Sequence, residues 1–219
     1  MKKFALMLAV VALVAGWSPT LHAEEAKKTS GSITLKNNWS DPQGGPGAFS
    51  QTVSLFVQTP SWLGLAGDFT YQSKGDYVAY APFLTLNAGP HYLLLGYSAD
   101  NVGKDFVQVG YWHLNQYAGF KVIADIRAYV AANEKSQGFL DSYLEVGRNV
   151  LPELKVSLVV DDVYAFDGAA NTVLLGPLVC YKATKQVSFI GRYLHAWSDS
   201  DASGTSQADK FRLAIQYSF

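Results

Sequence analysis

"FRLAIQYSF", residues Phe211–Phe219, is the last stretch of the chain. Its odd positions, Phe211, Leu213, Ile215, Tyr217 and Phe219, are all apolar, and the residues between them are Arg212, Ala214, Gln216 and Ser218. A period of two describes a strand with one apolar face and one wet face. The remaining sequence has to say what the apolar face meets.

The opposite end carries a basic start, Met1-Lys2-Lys3, an apolar run "FALMLAVVALVAG" (Phe4–Gly16) and "WSPTLHA" ending at Ala23. This is the layout of a cleaved secretory signal peptide, expected over residues 1–23. The apolar run is short for a spanning helix and is followed by Pro19, which argues against a retained anchor. No cysteine lies near the cut, so a lipid-modified N-terminus is not expected.

Residues 24–219 are enough for one substantial domain. The formal net charge of the whole chain is −1, and loss of Lys2 and Lys3 makes it more negative. No polybasic segment points to nucleic acid. The single cysteine, Cys180, cannot form an internal bridge, and it reads as a small apolar residue in a strand. The histidines and Cys180 are dispersed, and no phosphate-binding spacing is present, so neither a metal nor a cofactor is expected. No stretch after Gly16 is apolar and long enough for a spanning helix. The protein is therefore either soluble outside the cytoplasm or meets a membrane as strands.

From Gly31 onward, alternating runs of roughly ten residues are separated by turn-rich pieces. The candidate strands are 31–39, 51–59, 63–73, 76–87, 91–99, 105–116, 119–131, 139–150, 153–165, 171–182, 186–198 and 209–219. That is about twelve, with ten possible if neighbouring runs merge. Connections alternate between short ("TPSW", "NAGP", "NQYA", "LPE", "ATK") and mostly longer, polar or Gly-rich ("NNWSDPQGGPGAFS", "ADNVGKD", "AANEKSQG", "FDGAAN", "SDSDASGTSQAD"). Short turns on one rim and long loops on the other fit the periplasmic and extracellular ends of a membrane barrel, with both termini on the short-turn side. "EEAKKTSG" reads as a disordered start, and no internal repeat or interdomain linker is visible.

A secreted β-sandwich shares the alternation, with its apolar face inward. Two features favour the barrel. Aromatics gather at strand ends: Trp39, Tyr71, Tyr129, Tyr164 and Trp197 at the long-loop rim, and Trp62, Tyr117, Phe120, Tyr217 and Phe219 at the short-turn rim, as interfacial belts require. The runs also match the about 9 to 11 residues of a tilted spanning strand better than the about 5 or 6 of a soluble one.

"LAIQYSF" resembles the closing strand of bacterial outer-membrane β-barrel proteins, which end in an alternating strand with a terminal Phe. The resemblance extends to the signal peptide and the layout of residues 24–219, and it matches no single subfamily. It implies an all-β, closed antiparallel transmembrane β-barrel in the bacterial outer membrane. It also implies contact with outer-membrane lipid, and a last strand, with Tyr217 and Phe219, that the barrel-assembly machinery reads and that zips to the first.

If the apolar residues face lipid, the opposite set lines the lumen. In "FKVIADIRAYV" (Phe120–Val130), Lys121, Ile123, Asp125, Arg127 and Tyr129 then point inward, because Arg or Lys on the lipid face at mid-depth costs about 2 to 4 kcal/mol. The same parity turns Lys36, Asp68, Glu145, Lys155, Arg192 and Arg212 inward. With the last strand beside the first, Arg192, Arg212 and Lys36 would form a cationic strip facing Asp125 and Glu145 across the lumen. This transverse field resembles the constriction of general porins, where charged walls select solutes. Alternatively these charges pair across the lumen and hold it shut.

Catalysis is not expected. His91 and His113 fall near the short-turn end. His195, in "YLHAW", sits near the outer rim within possible reach of Asp161, Asp162, Asp199 and the loop Ser198–Ser206, but its parity is that of Tyr193 and Trp197 on the lipid face. The reading is a narrow passive channel for small hydrophilic solutes. The alternatives are a non-conducting structural or adhesive barrel acting through its loops and, third, a lipid-modifying or hydrolytic enzyme. Lumen aromatics are expected to be sparse, with Tyr129 and Phe56 too few for a nucleoside channel. Asp125 and Glu145 argue against a channel for acidic sugars.

Overall fold

A computed structural model describes residues 29–42, 48–59, 61–73, 76–166, 171–198 and 208–219. The expected signal peptide and parts of the Gly-rich and Ser-rich loops, 43–47 and 199–207, lie outside the described residues. The strands are β1 (Ser30–Pro42), β2 (Ala48–Gln58), β3 (Leu63–Gln72), β4 (Tyr77–Ala88), β5 (His91–Asp100), β6 (Asp105–Tyr117), β7 (Phe120–Ala131), β8 (Phe139–Leu151), β9 (Leu154–Ala165), β10 (Asn171–Lys182), β11 (Val187–Ser198) and β12 (Ala208–Ser218). Each pairs antiparallel with its neighbours in sequence, and β12 pairs with β1, giving a closed twelve-stranded barrel.

Closure removes the sheet edges, so every strand has a hydrogen-bonding partner on both sides, as backbone in a bilayer must. At the seam Trp39 lies opposite Phe211, Leu35 opposite Ile215 and Ile33 opposite Tyr217. The terminal residue locks it: Gly31 and Phe219 exchange backbone hydrogen bonds of 3.0 Å in both directions. A Cβ at position 31 would come within 2.8 Å of the Phe219 ring and 2.4 Å of the Phe56 carbonyl, so the close approach needs glycine.

The apolar face points outward. Leu158 is 55% exposed while its neighbour Val159 is 0%, and Leu93 is 59% exposed beside Leu94 at 3%. In water such a surface would be a very large apolar patch, whereas in hydrocarbon it is the favoured one. The sandwich alternative, with its apolar face turned inward, is thereby excluded.

Hairpin registers follow from the short turns. Between β6 and β7 the two central residues, Ala118 (φ 49°) and Gly119 (φ 83°), are both left-handed, as in the tight hairpin turns whose twist matches that of the strands. One assignment from sequence is corrected. Tyr129 does not belong to the outer aromatic belt: it stacks at 4.3 Å on Phe139 and lies 6.1 Å from Phe106, all three sharing the inward parity of their strands. The side chain of Trp197 lies outside the described residues.

Candidate solute path through the barrel

The inward faces of β7 to β9 carry two satisfied charge clusters. Arg127 and Asp125 are two residues apart on β7 and therefore on one face, and the guanidinium grips the carboxylate through Nε at 3.0 Å and Nη2 at 2.6 Å. The same guanidinium lies 4.8 Å from the ring centre of Phe83 on β4 and 5.2 Å from that of Trp112 on β6, a cation–π geometry. Glu145 is 4% exposed. It accepts hydrogen bonds from Lys155 Nζ at 2.5 Å, Ser157 Oγ at 2.7 Å and the Tyr143 hydroxyl at 2.8 Å, enough to compensate a buried carboxylate.

Toward the seam, Lys36 Nζ stands 3.6 Å from Asp68, which also accepts from Ser54. Arg192, 6% exposed, reaches Asp161 on β9 at 3.4 Å. Arg212 donates from Nε to Asn38 Oδ1 at 2.5 Å and, like Lys210, makes no ion pair among the described residues. Arg192, Arg212, Lys210 and Asp161 share a recess of about 280 Å³ with Asn38, Ser50 and Gln72. Among the described residues, three cations there meet one carboxylate.

Each acid singled out from sequence is thus held by a cation on its own part of the wall. Asp125 and Glu145 neither face the cationic strip as bare charges nor pair across the lumen. Lys121 lies apart, exposed at the short-turn end of β7. Sequence reasoning left three residues off the inner wall, one of them, Asp161, because it was set beside His195 instead. Lys210 shares the parity of Arg212, Asp141 that of Glu145, and Asp161 that of Lys155, so the inward direction of all three could have been read from the sequence. Asp141 lies opposite Arg127 in the β7–β8 ladder yet has no ion pair among the described residues. Among the described residues, the inward charges without an ion pair include Lys210 and Arg212 on β12 and Asp141 on β8.

The inner wall is also more apolar than expected. Val159, Leu174, Leu178, Leu194 and Ala196 form one inward cluster with Tyr143, Cys180 and Ile190 packed on it. Ala66, Phe83 and Leu94 form a second, with Phe56 and Trp112 against it. Phe56, Phe83, Tyr92 and Trp112 lie within 6.5 Å of one another in successive ring contacts, so inward aromatics are plentiful rather than sparse. On β6 the buried amide of Gln108, 2% exposed, has no protein partner for its nitrogen or oxygen. A buried amide in that position calls for water.

His195 faces outward as its parity requires, but its partner is one the sequence reading did not name: Asp209 Oδ1, 2.7 Å from Nδ1, while Tyr193 donates to Asp209 Oδ2 at 2.5 Å. Asp161 is turned inward to Arg192, and Asp199 lies outside the described residues.

No family model matches the chain, and no curated protein is detectably similar to it in sequence. Solved structures match in three dimensions. The KdgM porin superposes with a TM-score of 0.61 at 11% identity, over 86% of this chain and 99% of that one, and that porin has also been solved in complex with disordered oligogalacturonate. An outer-membrane channel from Pseudomonas putida gives 0.59 at 12% identity, over 92% and 99%. The fold is that of a small outer-membrane β-barrel. The translocator domain of the autotransporter NalP from Neisseria meningitidis shares it, at 0.57 and 10% identity over 99% and 96%. Identities this low establish the barrel and not its traffic. What an outer-membrane barrel passes is decided by its inner wall.

Proposed function

We propose that the chain is exported by cleavage after Ala23 and works in the bacterial outer membrane as a narrow passive channel for small hydrophilic solutes, with a preference for anions. The observation that carries this reading is the recess in which, among the described residues, Arg192, Arg212 and Lys210 meet one carboxylate, that of Asp161. Fixed cations in a low-dielectric wall raise the local concentration of anions. Of the acids that would oppose this, Asp68, Asp125 and Glu145 are each matched by a neighbouring cation, which leaves Asp141 on β8 against the three cations of the recess. The unpartnered Gln108 amide supports a hydrated interior.

On this reading Lys36, Asp68, Lys121, Asp125, Arg127, Glu145, Lys155, Arg192 and Arg212 line the path. Asp68, Asp125 and Glu145 hold cations in place, and Arg192, Arg212 and the neighbouring Lys210 meet the solute. An acidic sugar, the class that KdgM binds in its complex, regains a place among the solutes to try. Tyr217 and Phe219 form the segment that the assembly machinery would read, and outer-membrane lipid covers the outward face. The outward Tyr193–Asp209–His195 group is assigned to the interfacial belt rather than to catalysis.

Liposome swelling tests the reading. Vesicles carrying the refolded protein should swell in gluconate faster than in a neutral sugar of equal size, and the difference should vanish in the Arg212→Glu variant. Equal rates for both solutes in the wild type would refute the anion preference.

A second reading, a non-conducting barrel acting through its loops, is favoured by one observation: Val159, Leu174 and Leu194 are 0% exposed on the inward side, which fills part of the lumen. Folded protein that leaves vesicles impermeable to the smallest solutes would establish it.

A further inference from the structure

On the outward face of β5 and β6, near the short-turn rim, four rings with polar atoms form a line that the channel does not use. His91 and His113 are direct partners in the ladder, with Nδ1 atoms 3.3 Å apart and ring centres 4.9 Å apart. The Tyr111 hydroxyl lies 2.5 Å from His91 Nδ1, and the Tyr117 hydroxyl 2.8 Å from His113 Nε2. His91 and Tyr117 are exposed, and His113 and Tyr111 half-buried. Interfacial belts account for tyrosines here, but not for two imidazoles with nitrogens converging.

Two nitrogens each about 2.0 Å from one tetrahedral ion stand about 3.3 Å from each other, the separation already present between these rings. We propose that His91 and His113 form a two-nitrogen site for a transition-metal ion of the Zn²⁺ or Cu²⁺ type on the periplasmic rim of the barrel wall. Imidazole selects these ions over Mg²⁺ and Ca²⁺. The rim position leaves the remaining coordination places to water, with the Tyr111 oxygen beside them.

The proton balance closes within the line of four rings. Without metal, the Tyr111 hydroxyl donates to the one lone pair of His91 Nδ1, which it releases to the ion by turning its O–H away, while His113 carries its proton on Nδ1 and accepts from Tyr117 at Nε2. To ligate, His113 must bare its Nδ1. Its proton is then carried on Nε2, where the Tyr117 oxygen accepts it, so both imidazoles stay neutral and no proton need leave. Tyr117 is a positioning residue that fixes the ligating tautomer, the usual role of a group bonded to the far nitrogen of a metal-bound histidine.

Titration calorimetry of the untagged, refolded protein in detergent with ZnCl₂ and CuCl₂, and with MgCl₂ as control, tests the site. One Zn²⁺ or Cu²⁺ should bind per chain and Mg²⁺ should not. His91→Ala and His113→Ala should each weaken binding at least tenfold while keeping the gel mobility of the folded barrel, and Tyr117→Phe should weaken it by about 10-fold, the lower end of the usual loss. The electron paramagnetic resonance spectrum of the Cu²⁺ form should show coupling to two nitrogens, reduced to one in either variant. Absence of Zn²⁺ and Cu²⁺ binding to folded wild type, binding that survives both substitutions, or uptake of inorganic phosphate in place of metal would overturn the proposal.

Discussion

Arg192 on β11 and Arg212 on β12 are direct partners in the antiparallel ladder. Like charges in that relation destabilise a sheet. Here Asp161 compensates one guanidinium at 3.4 Å and Asn38 accepts from the other at 2.5 Å, which leaves the pair positive and turned into the barrel. Such a pair offers nothing to stability that one arginine would not, which is why the anion preference is placed here. Arg212→Glu is expected to move the zero-current potential in a salt gradient toward the cation side, with the barrel still folded. An unchanged potential would remove Arg212 from the path.

Glu145 is held by three donors. Glu145→Ala leaves Lys155 facing a partly buried cavity without its counterion, at a cost on the order of 3 kcal/mol. The midpoint of urea unfolding should fall accordingly, and Glu145→Ala combined with Lys155→Ala should recover most of the loss. A double variant as unstable as the single one would show that the pair itself is not what stabilises this wall.

The alternation that made the strands legible also set the limit of what could be read. Where one face is apolar and the other polar, as in "FKVIADIRAYV", parity assigns every side chain. β10, "NTVLLGPLVCYK", is apolar on both faces, because its inward Leu174 and Leu178 pack with Val159 and Leu194, and parity says nothing there. The charges of the inner wall were legible one strand at a time, but their partners were not. Lys155 meets Glu145, and Arg192 meets Asp161, because of registers that the turns create. His91 and His113 could be placed near the same rim from sequence, but only the β5–β6 register puts them face to face.

Ala118 adopts φ 49° in the β6–β7 turn, a conformation that costs a residue with a Cβ roughly 1 to 2 kcal/mol. Ala118→Gly removes that strain and gives part of it back as extra freedom of the unfolded chain. A net gain of about 0.5 to 1 kcal/mol is expected, read as a higher urea midpoint. A loss would mean that the Ala118 methyl has contacts at the rim worth more than the strain.

Leu158 projects from the middle of β9 and is 55% exposed. Leu158→Arg should cost about 2 to 4 kcal/mol for the barrel folded in lipid vesicles. In a protein whose outer face met water the same change would be almost neutral. Refolding yields in phospholipid vesicles, compared between wild type and variant, distinguish the two.

The central claim is that a water-filled, cation-lined path runs through the twelve-stranded barrel. Single-channel recording of refolded residues 24–219 in a planar bilayer under a salt gradient tests it most directly. Discrete conductance steps with a zero-current potential on the anion side are the expected result. A silent bilayer that contains demonstrably folded protein would contradict the account, and would mean that the inward clusters around Leu174 and Phe83 close the barrel.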